Sequence, residues 1–202
     1  MTTIIGHHGT TLKVAEQLVK RTTNLQARTN KYDWLGTGVY FWQDGPTRAL
    51  AWARYTAARA VGEEPAVVEA EIDLDGCLDL FDLEAFRELQ KSYTKFESFE
   101  ASNPARSVQA GLIVMDGRQS TTSHSGAAGT PDPVRNFRDC AFLDWHIAAM
   151  RSVGHEYRSV RGAFLSGRAL FTESFLFDWS HAQIAVLDLA VIKRLDVHPL
   201  RT

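Results

Sequence analysis

The alternation of apolar and polar positions predicts strands near both ends of the chain. From Val67 to Leu74, apolar residues alternate with acidic ones, which is typical of a strand with one buried face. Glycines flank a run of aromatic and β-branched residues that ends at Trp42, which also indicates a strand. Strands are predicted at Thr3 to His7, Gly36 to Trp42, Val67 to Leu74, Tyr157 to Phe164, Ala182 to Leu187 and Ile192 to Val197.

Apolar residues at helical spacing, together with capping residues, predict helices between these strands. Pro46 suits the first turn of a helix because proline fixes φ and that position needs no N–H donor. Strands at both ends with helices between them favour an α+β domain. Helices are predicted from Leu12 to Lys20 after a cap at Thr10 or Thr11, from Pro46 to about Val61, from Asp82 to about Ser92, and from Asn136 to Arg151.

Length and composition predict one domain over residues 1–202. The chain has 202 residues, 45% of them hydrophobic and 23% charged, so it can bury a core of its own. The stretch from about Ser102 to Asp132 contains the polar run STTSHSGAAGTPDP and is predicted to be a flexible surface insertion.

Charge and cysteine content disfavour several classes of function and of structural site. A net charge of −2 provides no general attraction for nucleic acid or acidic membranes. The two cysteines, Cys77 and Cys140, form no CxxC pair, which disfavours a disulfide framework or a structural zinc site. The chain begins without a signal-peptide pattern and has no apolar run long enough to span a membrane, so a cytoplasmic protein is expected.

Two segments in the first quarter of the chain can carry chemistry. His8-Gly9-Thr10 would put an imidazole at a strand end beside backbone that a planar ligand can approach closely, or it is an ordinary strand end with a turn glycine. Tyr40 and Trp52 would form stacking walls for a flat heterocycle, or they belong to the core, as we expect for Phe41.

A third segment lies at the start of a late strand. His181 and Gln183 share one face of Ser180 to Val186 and would point into a cleft, or they form the solvated face of an edge strand. No metal site is expected, because His7 and His8 are adjacent and point to opposite sides and HExxH is absent. Phosphate-loop, dinucleotide-fingerprint and nucleophile-elbow motifs are absent too.

Taken in order, His8-Gly9-Thr10, Gly38-Val39-Tyr40-Phe41 and Gln183-Ile184-Ala185-Val186 resemble the ADP-ribosyltransferase superfamily. The resemblance is to its poly(ADP-ribose)-polymerase-like and diphtheria-toxin-like branch, and it spans most of the chain outside the insertion. It implies a split β-sandwich of two small, mostly antiparallel sheets with flanking helices. It also implies NAD as co-substrate in the cleft between the sheets.

The resemblance assigns roles to individual residues. His8 would hydrogen-bond the adenosine ribose, and the backbone of Gly9 would hold the nicotinamide carboxamide. Tyr40 would stack on the nicotinamide, with Trp52 as the second wall where family members often have tyrosine. The serine that often accompanies that tyrosine has no match. The NAD-binding positions implied are His8, Gly9, Thr10, Gly38, Tyr40 and Trp52.

The third catalytic position has two candidates. Gln183 aligns without a gap, whereas Glu173 needs extra residues before the strand but supplies a carboxylate. We favour Gln183 and expect Glu173 to lie in a loop facing the acceptor. Family members that modify arginine carry a glutamate two residues before the catalytic one. This chain has His181 there if Gln183 is the catalytic residue and Phe171 if Glu173 is, so the resemblance disfavours modification of arginine.

The resemblance implies a mono-ADP-ribosyltransferase that cleaves the nicotinamide–ribose bond of NAD and modifies a protein or nucleic-acid acceptor. Glutamine offers a dipole rather than a charge, which disfavours chain elongation. A bacterial toxin or defence effector, with an antitoxin or immunity protein as partner, fits a compact catalytic domain. The alternatives are an NAD glycohydrolase and an inactive NAD- or ADP-ribose-binding module of the same fold.

Overall fold

The computed structural model describes residues 2–27, 33–60, 62–103, 133–165 and 167–199 as an α+β structure around one curled, seven-stranded sheet. The predicted insertion lies almost wholly outside these residues. The described strands are β1 Thr3–Thr11, β2 Val39–Gln43, β3 Pro65–Asp73, β4 Cys77–Asp79, β5 Ser159–Phe164, β6 His181–Val186 and β7 Ile192–Val197. The described helices are α1 Leu12–Val19, α2 Pro46–Ala57, α3 Leu83–Ser102 and α4 Pro133–Ser152.

The sheet has the strand order β4-β5-β6-β2-β1-β3-β7. Its neighbours are antiparallel except β4 and β5, which are parallel. The strands from β4 to β2 form one half, and β1, β3 and β7 form the other. Only two described residue pairs, Gly6↔Gln43 and His7↔Trp42, join these halves. The two small, mostly antiparallel sheets expected from the sequence are thus two halves of one curled sheet, because pairing at Gly6 and His7 joins them.

The first strand is longer than its sequence pattern indicates. β1 continues through His8-Gly9-Thr10 to Thr11 because each of these residues pairs with β3, as far as Thr11↔Pro65. α1 starts at the next residue, and Thr11 is its N-cap but makes no side-chain capping hydrogen bond. Hydrogen bonding to β3 thus overrides the turn tendency of this segment.

The third helix also extends beyond its predicted end. Asp82 caps it as expected, and its carboxylate accepts a hydrogen bond from the Glu84 main chain. The helix continues to Ser102, because its second half packs against α4: Phe96 is buried, and its ring centroid lies 5.6 Å from that of Trp145.

Helices cover both faces of the sheet. On one face, α1 buries Ala15 and Leu18 against Val68 of β3. On the other, Leu89 of α3 and Leu143 of α4 pack around Val160 of β5. α2 lies against β1 and β3, where Ala49 and Ala53 are fully buried. Phe41 is also fully buried, which confirms its prediction as a core residue.

Gly9 is the point of closest approach between β1 and α2. A Cβ atom at Gly9 would lie 2.1 Å from the Ala49 carbonyl oxygen and 2.9 Å from the Ala53 nitrogen. Both atoms belong to the helix backbone, so no side-chain rotation can relieve the clash. Glycine therefore lets α2 lie close to the sheet beside His8 and Thr10.

Gly9→Ala should push α2 away from β1 and lower the free energy of unfolding by about 1–3 kcal/mol, the usual cost of overpacking. Urea denaturation followed by circular dichroism measures the change. An unchanged unfolding midpoint would contradict the close packing of α2 on Gly9.

Candidate active site

His8 lies where β1 and β2 begin to separate. Its Nδ1 is 2.9 Å from the Tyr40 carbonyl oxygen, and its ring centroid is 5.6 Å from that of Phe41. A carbonyl only accepts hydrogen bonds, so Nδ1 carries the hydrogen and Nε2 is left as an acceptor. Burial lowers the pKa of His8, against the opposing effect of the Tyr40 main chain, so the imidazole is neutral at neutral pH.

The two central strands separate immediately before the His8-Gly9-Thr10 segment. Described pairing between β1 and β2 ends at His7↔Trp42, whereas pairing between β1 and β3 continues through Thr11. His8, Gly9 and Thr10 therefore lie beyond the end of the described β1–β2 pairing, and this end of pairing is called the opening between β1 and β2; Gly9 and Thr10 themselves are buried. The resemblance implies that NAD binds beside this segment.

The Tyr40 hydroxyl is held by three main-chain groups of the preceding loop. It accepts hydrogen bonds from the nitrogens of Trp34 at 3.0 Å and Leu35 at 2.8 Å, and donates to the Gly36 oxygen at 2.8 Å. Burial is the main reason why the pKa of Tyr40 lies well above its ordinary value. Because the hydroxyl is fully engaged, the group that Tyr40 can offer a ligand is its ring.

Trp34 connects this loop to Gln183. Its indole Nε1 donates a hydrogen bond of 2.6 Å to Gln183 Oε1, and Gln183 is 9% exposed. The bond orients the amide with its oxygen towards Trp34 and its NH₂ group as the donor. Burial lowers the pKa of His181, against the opposing effects of hydrogen bonds with the Trp179 main chain and with Gln183.

A carboxylate on α4 anchors the same loop. Asp144 accepts hydrogen bonds from the Thr37 nitrogen at 2.6 Å and from the Thr37 hydroxyl at 2.7 Å. Trp34 therefore lies on a segment fixed both to α4 and to Tyr40. Sequence reasoning missed Trp34 because it lies in a polar, aperiodic stretch in which no motif distinguishes it.

The sheet register shows which predicted side chains share a face. Tyr40 lies opposite Ala185 and Trp42 lies opposite Gln183, so Tyr40 and Gln183 point to the same side. His7 lies opposite Trp42, and alternation along β1 therefore directs His8 to the side of Phe41. The structure thus brings Tyr40 and Gln183 together through Trp34, whereas His8 reaches only the main chain of Tyr40 and the Phe41 ring.

Trp52 belongs to a continuous row of rings that crosses the sheet. Its centroid is 6.2 Å from that of Trp42 and 5.5 Å from that of Tyr55. His181 lies 6.4 Å from Trp42 and 5.5 Å from Phe164, which in turn lies 5.2 Å from Trp34. This aromatic row consists of Tyr55, Trp52, Trp42, His181, Phe164 and Trp34.

Glu173 occupies the tip of a hairpin-like loop before β6. Ala169 and Phe177 form its base, and the Ser174 nitrogen hydrogen-bonds to the Phe171 oxygen across the turn. Glu173 is exposed and has a φ of 68°, in the left-handed region that such turns require. It therefore projects from the loop.

Arg48 of α2 fixes the end of this loop. Its Nη2 donates hydrogen bonds to the carbonyl oxygens of Asp178 at 3.1 Å and Ser180 at 3.0 Å. The loop that carries Glu173 is therefore tied to α2 immediately before β6 begins at His181.

Gly38 and Thr10 have structural roles in the fold. A Cβ atom at Gly38 would lie 3.0 Å from the Val186 oxygen and 3.1 Å from Ala185 Cβ, so glycine allows β2 to pack closely on β6. Thr10 is 9% exposed and pairs with Ala66.

A separate cavity of about 530 Å³ lies between β4 and the start of α3. Its lining carries charges of both signs and includes none of the predicted site residues. Residues around it include Cys77, Asp79, Asp82, Glu88, Lys91 and His155.

Comparisons with protein-family models, curated proteins and solved structures found no match to this chain. The helices that the structure describes include none with the length and apolarity needed to cross a membrane.

Tyr40→Phe should lower the free energy of unfolding by about 1–3 kcal/mol, because three main-chain groups lose their hydrogen-bond partner. Tyr55→Phe is the matched control, since Tyr55 is half exposed, and its change should stay within about 0.5 kcal/mol. Chemical denaturation of both variants gives the comparison. Equal effects would show that the Tyr40 hydroxyl does not hold the loop.

Proposed function

We propose that the protein is a mono-ADP-ribosyltransferase with an ADP-ribosyltransferase-like fold that binds NAD at the opening between β1 and β2. The observation that carries the proposal is that Trp34 links Tyr40 and Gln183, which come from distant segments and share one face of the sheet. His8 extends from the other face but hydrogen-bonds to the Tyr40 main chain. An ordinary core would not require a buried glutamine at this position.

The opening offers NAD both polar and aromatic contacts. Neutral His8 keeps Nε2 as an acceptor, which suits a donating ribose hydroxyl. The backbone around Gly9 is the proposed partner of the nicotinamide carboxamide. The Tyr40 ring and the aromatic row, including Trp52, offer stacking surfaces to a flat heterocycle.

Gln183 is proposed to hold a hydroxyl of the nicotinamide ribose. As nicotinamide leaves, positive charge develops on that ribose and must be tolerated. The Gln183 oxygen accepts from Trp34, so its NH₂ group is the part that can donate to a ribose hydroxyl oxygen and orient the ribose. It lacks the negative charge with which a carboxylate would stabilise the developing cation, which favours single transfer over chain elongation.

The loop before β6 is the proposed acceptor side. It carries Glu173 at its tip, among exposed apolar residues that include Phe171 and Phe175. A carboxylate there can act as a base for the incoming nucleophile of a protein, RNA or DNA acceptor. A toxin or defence effector acting in the cytoplasm, controlled by an antitoxin or immunity protein, would have this organisation.

Gln183→Ala should lower the rate of NAD cleavage about tenfold, because the ribose loses one orienting hydrogen bond of about 1–1.5 kcal/mol. Gln183→Glu should raise that rate about tenfold, because a charged acceptor stabilises the cation better. Incubation with NAD labelled at the adenylate phosphate, with and without cell lysate, measures cleavage and transfer together.

Glu173→Ala separates the two steps: it should leave NAD cleavage nearly unchanged but reduce transfer of label to macromolecules. Gln17→Ala, on the exposed face of α1, is the matched control and should behave like the wild type. Protease, RNase and DNase sensitivity identifies the acceptor class. Free ADP-ribose as the sole product would favour a glycohydrolase, and no NAD consumption by the wild type would contradict the proposal in favour of a binding module.

A further inference from the structure

A second cluster of ionisable side chains lies on the other half of the sheet. His7 of β1, Glu69 of β3 and His198 after β7 each offer one donor atom within 4.8 Å of the other two. His7 Nε2 lies 3.5 Å from Glu69 Oε2, and His198 Nδ1 lies 2.8 Å from the same oxygen. The proposed NAD chemistry uses none of these residues.

The backbone of the sheet holds the three donors in place. His7 and Glu69 lie directly opposite each other in the β1–β3 register. His198 follows β7, and its main-chain nitrogen donates a 2.8 Å hydrogen bond to the Val67 oxygen. No loop has to move to bring the donors together.

His7 lacks the close contacts that an ordinary ion-pair residue makes. It is 4% exposed, its Nδ1 has no hydrogen-bond partner of ordinary geometry, and its contact with Glu69 is long. Its Nε2 is the ring nitrogen that faces Glu69 and is therefore the atom that can bind a cation.

The chemistry of the three ligand atoms favours one class of cation. Two imidazole nitrogens and one carboxylate oxygen are typical ligands of zinc, whereas magnesium and calcium prefer oxygen alone. Zinc bonds of roughly 2.0–2.2 Å place neighbouring ligand atoms of a tetrahedral site about 3.3 Å apart. The observed 3.5 Å and 2.8 Å separations lie on either side of that value.

We propose that His7, Glu69 and His198 bind a zinc-type divalent cation, with water in the remaining position. Glu69 and His198 are partly exposed, which gives the ion a path of entry. Arg194 is the competing cation, at 3.8 Å from Glu69, but it is mostly exposed and also pairs with Asp196 at 3.2 Å. The bound ion would tie β1, β3 and β7 together.

Titration of the untagged full chain with Co²⁺, followed by visible absorption, tests the site directly because tetrahedral nitrogen–oxygen coordination gives intense bands. Zn²⁺ should abolish these bands by competition. Zn²⁺ at 100 times its dissociation constant should also raise the thermal midpoint by roughly 5–10 °C. Neither readout involves NAD, so failure here is independent of the proposed activity.

His198→Ala and Glu69→Gln should each weaken Zn²⁺ binding by more than the roughly 10- to 100-fold that loss of an outer hydrogen-bond partner costs. His155→Ala, which removes an exposed histidine outside the cluster, is the matched control and should bind like the wild type. Both test positions are partly exposed, and circular dichroism confirms folding. Absence of cobalt bands in the wild type, or bands unchanged in both variants, would overturn the proposal.

Discussion

The hydrogen bonds made by Trp34 are the interaction on which the candidate active site depends. Its main-chain nitrogen donates to the Tyr40 hydroxyl, and its indole donates to Gln183. One residue thus sets the position of a ring on β2 and the orientation of an amide on β6. Asp144 of α4 fixes the same loop through Thr37, so the site is connected to the helical layer as well as to the sheet.

The junction between the two halves of the sheet is short. Two described residue pairs join β1 to β2, and this pairing ends at His7. His7 and His8 face opposite sides of β1 and belong to different side-chain clusters: His7 lies with Glu69 and His198, whereas His8 contacts the Tyr40 main chain. A cation bound at the first cluster would fix β1 at the point where the opening begins.

The sequence predicted the parts of this structure that depend on local pattern. The last strand, Ile192–Val197, has the predicted bounds, and Asp82 caps its helix as expected, because alternation and capping are local properties. The other features of the fold depend on pairing between residues that are far apart in the sequence. β1 continues to Thr11 because β3 lies beside it, and the halves of the sheet are joined because Gly6 meets Gln43.

The same distinction applies to the candidate site. The shared face of Tyr40 and Gln183 depends on the pairing of β2 with β6, which alternation within either strand alone cannot give. Trp34 has no motif, and its role follows only from the path of the loop. No sequence motif marks the His7, Glu69 and His198 cluster, because its members come from β1, from β3 and from the segment after β7, which are far apart in the chain.

The central claim is that NAD binds between β1 and β2, beside Trp34 and Gln183. A titration of ¹⁵N-labelled protein with NAD, followed by amide and side-chain NMR shifts, tests it most directly. The account predicts saturable shifts at Gly9, Thr10, the Trp34 indole N–H and the Gln183 side-chain NH₂. Shifts confined to the cavity between β4 and α3, or no saturable shifts at all, would contradict it.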